Sequence, residues 1–203
     1  MASSQDGLGK GRIRWKRFGI MMVPAAFLVG FIVVGMANGA IAASFSVSGQ
    51  SFKISADQLH GKGFKQFGGV DTKANGQSIP VATAAIDTAE LKNLCQSVNV
   101  PNPLGLKIVL RIEAGQTTDV KASGLVIGAS ELSGNATFTN IKIGRDGAEI
   151  SGNQALAGTF GQTADEVTIT GLKQVATSTS AGTFELNGLN LRVLTGDAAK
   201  ECF

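Results

Sequence analysis

A tight basic cluster running straight into a long uncharged stretch divides this chain in two before any secondary structure is considered. Lys10, Arg12, Arg14, Lys16 and Arg17 are followed by Phe18 to Ala37 without one charged side chain. Twenty residues at the helical rise make about 30 Å, the hydrocarbon thickness of a bilayer, so the stretch is long enough to span one. Positive charge stays on the cytoplasmic side during insertion. That predicts residues 1–17 inside, 18–43 as a transmembrane helix acting as anchor, and an extracytoplasmic domain over 44–203. Ala40-Ile41-Ala42 also fits the small-x-small pattern of a signal-peptidase site, which leaves a cleaved, secreted domain as the alternative. Both readings export the same residues. The length of the apolar run favours the anchor, and Trp15 sits where an interfacial aromatic belongs.

The formal charge of +3 belongs to that first segment. Five of the 18 basic and one of the 15 acidic side chains lie in the first 43 residues, so 13 basic face 14 acidic in the remainder. A near-neutral domain with no Lys/Arg run and no tyrosine for stacking has neither the electrostatic nor the aromatic equipment for nucleic acid. Its roughly 160 residues suit one domain with a real core. Cys95 and Cys202 are the only cysteines, and an even count in an oxidising compartment predicts a disulfide between them.

The exported text is rich in Gly, Thr, Ser, Val and Ile and falls into short periodic runs, which predicts an all-β fold, an antiparallel sandwich or a layered β structure. Leu106, Ile108, Leu110 and Ile112 alternate with Lys107, Val109, Arg111 and Glu113, so the first set is read as the buried face. Similar runs cover Phe45 to Ser55, Val120 to Ile127, Ala136 to Ile143, Val167 to Leu172 and Thr183 to Val193. Three of these switch parity partway, near Gly49, Asn140 and Gly188. A one-residue slip turns every following side chain to the other face unless a bulge or turn absorbs it; a bulge is the reading at Asn140 and Gly188. Gly124-Leu125 precedes Thr137-Phe138, and Gly171-Leu172 precedes Thr183-Phe184, with Gly63-Phe64 a fainter third copy. The echo is too irregular for a solenoid and reads as recurring strand-and-turn grammar.

One short helix is expected. Asp87 with Glu90 resembles a capping box, Leu91, Leu94, Cys95 and Val98 keep a helical stripe, and Asn99 to Pro103 would stop it. Gly61 to Ala82 has poor periodicity and reads as a surface loop or irregular hairpin.

The search for chemistry returns little. His60 is the only histidine, three residues from Asp57, and no Cys/His cluster supplies further zinc ligands. It reads as a turn histidine beside glycine. No Gly-x-Ser-x-Gly elbow occurs. Asp165-Glu166 and Asp146 with Glu149 read as solvated loop acids, and no glycine-rich stretch has phosphate-loop context. No catalytic residue, metal or cofactor is expected.

The combination of Arg12-Ile13-Arg14-Trp15-Lys16-Arg17-Phe18, Ala43 to Gln50, Leu59-His60-Gly61, Ala89 to Ser97, Ala136 to Ile141 with Gly144-Arg145-Asp146, Ala181 to Phe184 and Glu201-Cys202 resembles the uncharacterised family DUF6230 over essentially the whole chain. The resemblance implies an exported or membrane-anchored actinomycete protein, with membrane lipid and a small multi-spanning membrane protein as the partners to expect. Members are sometimes labelled cholesterol esterase, a label the missing nucleophile elbow argues against. The leading expectation is a non-enzymatic cell-envelope protein acting by binding or assembly. A second is a lipid-binding module at the membrane surface, with an apolar groove drawing on Phe138, Phe160 and Phe184. An ester hydrolase is the disfavoured third.

Overall fold

The structure, a computed structural model, describes residues 50–73, 75–102 and 105–203. The basic cluster, the apolar stretch, the anchor and the start of the first expected strand, with its parity switch at Gly49, lie outside the described residues. Among the described residues no helix is long and apolar enough to cross a membrane.

Among the described residues nine strands form one antiparallel sheet: β1 (Phe52–Thr72), β2 (Ser78–Lys92), β3 (Leu94–Asn99), β4 (Ile108–Ala114), β5 (Val120–Thr139), β6 (Lys142–Asp146), β7 (Phe160–Ser180), β8 (Thr183–Glu185) and β9 (Asn190–Thr195). The hydrogen bonding closes on itself. β1 pairs β2 on one side and β7 on the other, β2 pairs β5, and β5 pairs β7. A second part of the sheet leaves this ring as an open arm, running from β1 through β3 and β4 to β9. Closure removes the free edges that a long strand would otherwise present.

The core residues explain how such long strands coil into a ring. In β1 they are Ile54, Ala56, Leu59 and Phe64, with Gly61 facing Ile86 and Val167; in β7 they are Ala164, Val167, Ile169 and Leu172. Ala84, Ile86, Ala89, Leu91 and Leu94 follow suit across β2 and β3, and Val120, Ala122, Leu125 and Ile127 in β5. Strict alternation would give a spacing of two. Here gaps of two and three alternate, so an additional outward residue turns the strand at each wide gap. Gly63, Asn93, Gly124 and Gly171 each take positive φ inside such a gap. Glycine and asparagine are the residues that reach this conformation cheaply. The echoed Gly-Leu and Gly-Phe steps are therefore corner positions within long strands.

The same spacing accounts for the expected helix that is not there. Asp87, Glu90 and Leu91 lie in β2, while Leu94, Cys95 and Val98 lie in β3; Asn93 at φ 51° is the corner between them. A three-residue corner gap mimics the i, i+3 step of a helical stripe. Among the described residues the one short α-helix instead spans Gly147–Ser151 (α1), capped by the Asp146 side chain, which accepts from the Ala148 N–H at 2.8 Å. Gly61 to Ala82 is the far part of the β1–β2 hairpin, turning at Lys73–Gln77, where two backbone hydrogen bonds close the loop.

The two bulge expectations are corrected. Asn140 (φ 55°) interrupts the edge that β5 and β6 present in turn to β7, and its amide donates to Asp165 at 2.7 Å; the register shift falls further on, around Gly144. Gly188 sits in a turn closed from Leu189 N–H to the Leu186 carbonyl, which carries the chain from pairing with β5 to pairing with β4. His60 lies within β1, not in a turn.

Candidate functional site

On the arm, Cys95 and Cys202 are joined with Cα atoms 5.8 Å apart and 107 residues of separation. The bond pins the last residues across one face of β3 and β4. Cys202 N–H donates to Ser97 Oγ at 3.0 Å, Lys53 pairs with Glu201 at 3.0 Å, and Lys53 Nζ reaches the Phe203 carbonyl at 2.9 Å. Under this tail Ser97, Val109 and Ala199 are fully buried. Glu113 lies on the same side between two guanidiniums, bonding Arg111 at 2.8 Å and Arg192 across the strand pair. Burial pushes its carboxyl pKa up, but the hydrogen bond from Arg192 and the two positive charges outweigh that, and the pKa lies below the usual glutamate value.

Among the described residues the opposite face of the arm has no such cover. By register Leu191 stands opposite Ile112 and Val193 opposite Leu110; Leu110 in turn faces Val98, and Val98 faces Phe52. Leu106 is 57 % exposed, Leu189 54 %, Leu191 55 % and Val193 64 %. The strand expectation at Leu106 to Glu113 is thus half inverted: Val109 is the fully buried residue, while Leu106 is open to solvent. Leu94, Ala114 and Val120 in the core lie at the root of this face, so the apolar interior of the ring runs out onto an uncovered sheet surface. β9 also ends the sheet, leaving its outer edge unpaired among the described strands. Contiguous exposed apolar surface of this kind marks interaction sites in soluble domains. The sequence showed the alternation at Leu106 to Ile112 and at Leu189 to Val193 but gave no sign of how exposed these side chains are.

The expected groove of Phe138, Phe160 and Phe184 is not formed. Phe138 packs at a tilt on Phe64 with ring centroids 5.4 Å apart, Phe160 opens β7 at 63 % exposure opposite Asp146, and of the three only Phe184, opposite Ala122 on β5, lines the small cavity in the ring interior. The ring interior between Leu59, Leu125, Ile127 and Leu172 leaves a cavity of about 20 Å³, on the scale of one water molecule and far too small for an acyl chain. A wider concavity of about 430 Å³ lies over Ser130 to Ser133, Lys173 and Val175 beneath Phe203, and it is open and shallow.

His60 belongs to a polar row on the outer side of the ring. Its Nδ1 lies 3.0 Å from Thr168 Oγ1, Glu90 is its register neighbour on β2, and Thr137 is that of Thr168 on β5. Neither concavity contains it. Among the described residues no three His, Cys, Asp or Glu side chains stand together to hold a metal. Asp146 serves structure: its carboxylate also accepts from Gly158 N–H at 2.8 Å, and the backbone donors of Gly158 and Ala148 hold its pKa down.

Fold and site together define a closed antiparallel β domain with one apolar sheet face that no element among the described residues seals. A family model matches residues 48–203, and the chain belongs to that family of unknown function, DUF6230. Searches of curated proteins and of solved structures returned no match.

Proposed function

We propose that this is a non-enzymatic cell-envelope protein whose β domain, held at the membrane by Phe18 to Ala37, acts by binding through the uncovered face of β3, β4 and β9. The open apolar surface carries the reading: it leaves Leu106, Leu189, Leu191 and Val193 largely in solvent while the ring core is filled. A domain built around a ligand cavity would show the reverse arrangement. A photo-crosslinking residue at position 191 of the full chain in its host tests the reading. Adducts to an envelope component there, and none from the same group at Lys62 on the outer side of β1, are the expected result. No adduct at either position would remove the support.

The hydrolase alternative makes a separate demand. Ester hydrolysis by a serine or threonine needs a base within hydrogen-bond reach, and His60 is the only imidazole in the chain. We expect no turnover above a protein-free control, and His60→Ala with fold and stability nearly unchanged. Robust turnover by the wild type that vanishes in this variant would replace the binding reading with an enzymatic one.

A further inference from the structure

We infer that the apolar face of the β3–β4–β9 arm lies against the outer leaflet of the membrane that carries Phe18 to Ala37; this rests on the tethered, binding reading above. Three observations favour a lipid surface as the occupant.

The first is the two-sidedness of the arm. One side carries Leu110, Ile112, Leu191 and Val193; the other carries Arg111, Glu113, Arg192 and the Lys53–Glu201 pair beneath the disulfide-pinned tail. Apart from Gln96 and Thr195 the first side is apolar, so the arm can lie in a membrane interface with its charged side outward, as an amphipathic helix does.

The second is the length of chain between span and arm. Only residues 38–51 separate the apolar stretch from Phe52, and Phe52 pairs directly with Val98 on the arm. Fourteen residues reach at most about 50 Å when fully extended, so the root of the arm cannot leave the neighbourhood of the bilayer.

The third is size. The largely exposed apolar side chains are Leu191 and Val193 on β9 with Leu106 and Leu189 just outside the strands, far fewer than the roughly 20–30 residues a side of a stable protein interface. Tethering raises the effective concentration of membrane at the domain into the millimolar range or above, where a patch of that size is enough.

Depth-dependent quenching tests this on the full chain reconstituted in phosphatidylethanolamine and phosphatidylglycerol vesicles containing brominated acyl chains. Trp15→Phe removes the only native tryptophan. Leu191→Trp and Val193→Trp, in separate chains, then report on the face, and Lys62→Trp reports on the outer side of the ring. Quenching at 191 and 193 at least threefold stronger than at 62 is expected, unchanged when the protein-to-lipid ratio is lowered tenfold. Equal quenching at all three positions overturns the inference. So does a blue-shifted emission at 191 that bromolipid does not quench, which would mean that protein covers the face. In that case crosslinking at 191 to a protein would leave the binding reading standing while the lipid assignment fell.

Discussion

At Gly171 the backbone takes φ 63° with nothing within 4 Å of where a Cβ would stand, so the cost of a side chain there is conformational alone. Gly171→Ala should lower stability by about 1–2 kcal/mol, and Gly171→Asn by less, since asparagine tolerates this region better. Urea midpoints at constant m-value would check the order, and an asparagine variant less stable than the alanine one would contradict it. Gly63 is a harder corner. It has φ 68°, and an added Cβ would run into the Asp87 side chain as far back as that residue's own Cβ at 3.0 Å, so Gly63→Ala should cost more than the same change at Gly171. Glu113 adds a pH dependence of definite sign. Its folded pKa is depressed, so its contribution is complete above the unfolded value of about 4.5 and is lost as pH falls through the folded one. The stability gap between wild type and Glu113→Gln should therefore be constant near neutrality and shrink below about pH 4.5. A gap that widened on acidification would contradict the ion-pair account.

At the scale of elements, the tail and its disulfide form a unit with the back of β3 and β4. A bond closing a loop of 107 residues is worth about 4–5 kcal/mol on chain-entropy grounds. Cys202→Ser should lose that much and expose the last residues to proteolysis, with reduced wild type converging on the variant; identical melting temperatures with and without reductant would refute it. The strands themselves were legible from their alternation, and so was the disturbance within them. The repeated Gly-Leu and Gly-Phe steps are the written trace of corners, whereas the parity switches at Asn140 and Gly188 mark the break between β5 and β6 and a turn between β8 and β9. What sequence periodicity could not separate was a corner from a helix. Leu91, Leu94, Cys95 and Val98 satisfy a helical stripe as well as they satisfy two strands meeting at Asn93, and only pairing with β1, distant in sequence, decides between them. Nor could alternation reveal cover: it reports that Leu106 and Ile108 share a face, while exposure depends on which other segment happens to lie over that face.

At the scale of the whole molecule, the proposed membrane tether makes a direct prediction. Protease added to intact cells should remove a carboxy-terminal tag and spare an amino-terminal one; a protected carboxy-terminal tag would place the domain on the other side, and a mature chain beginning at Ala43 or Ser44 would replace the anchor with a cleaved leader. The closed ring also imposes an order of events in time. The β1–β2 hairpin turns locally at Lys73–Gln77 and can form as soon as both strands exist. β7, by contrast, must slot between β1 and β5, setting Ala176 against Phe52. Until then the partly made domain offers two bare strand edges to any neighbour, and pairing across such separations is slow. Cys202 arrives later still, so the covalent clasp comes last. A chain cut short before about residue 180 is therefore expected to be a sticky, unclosed sheet rather than a smaller version of the fold, and its producer must keep the emerging chain apart from its siblings until the final strands come through.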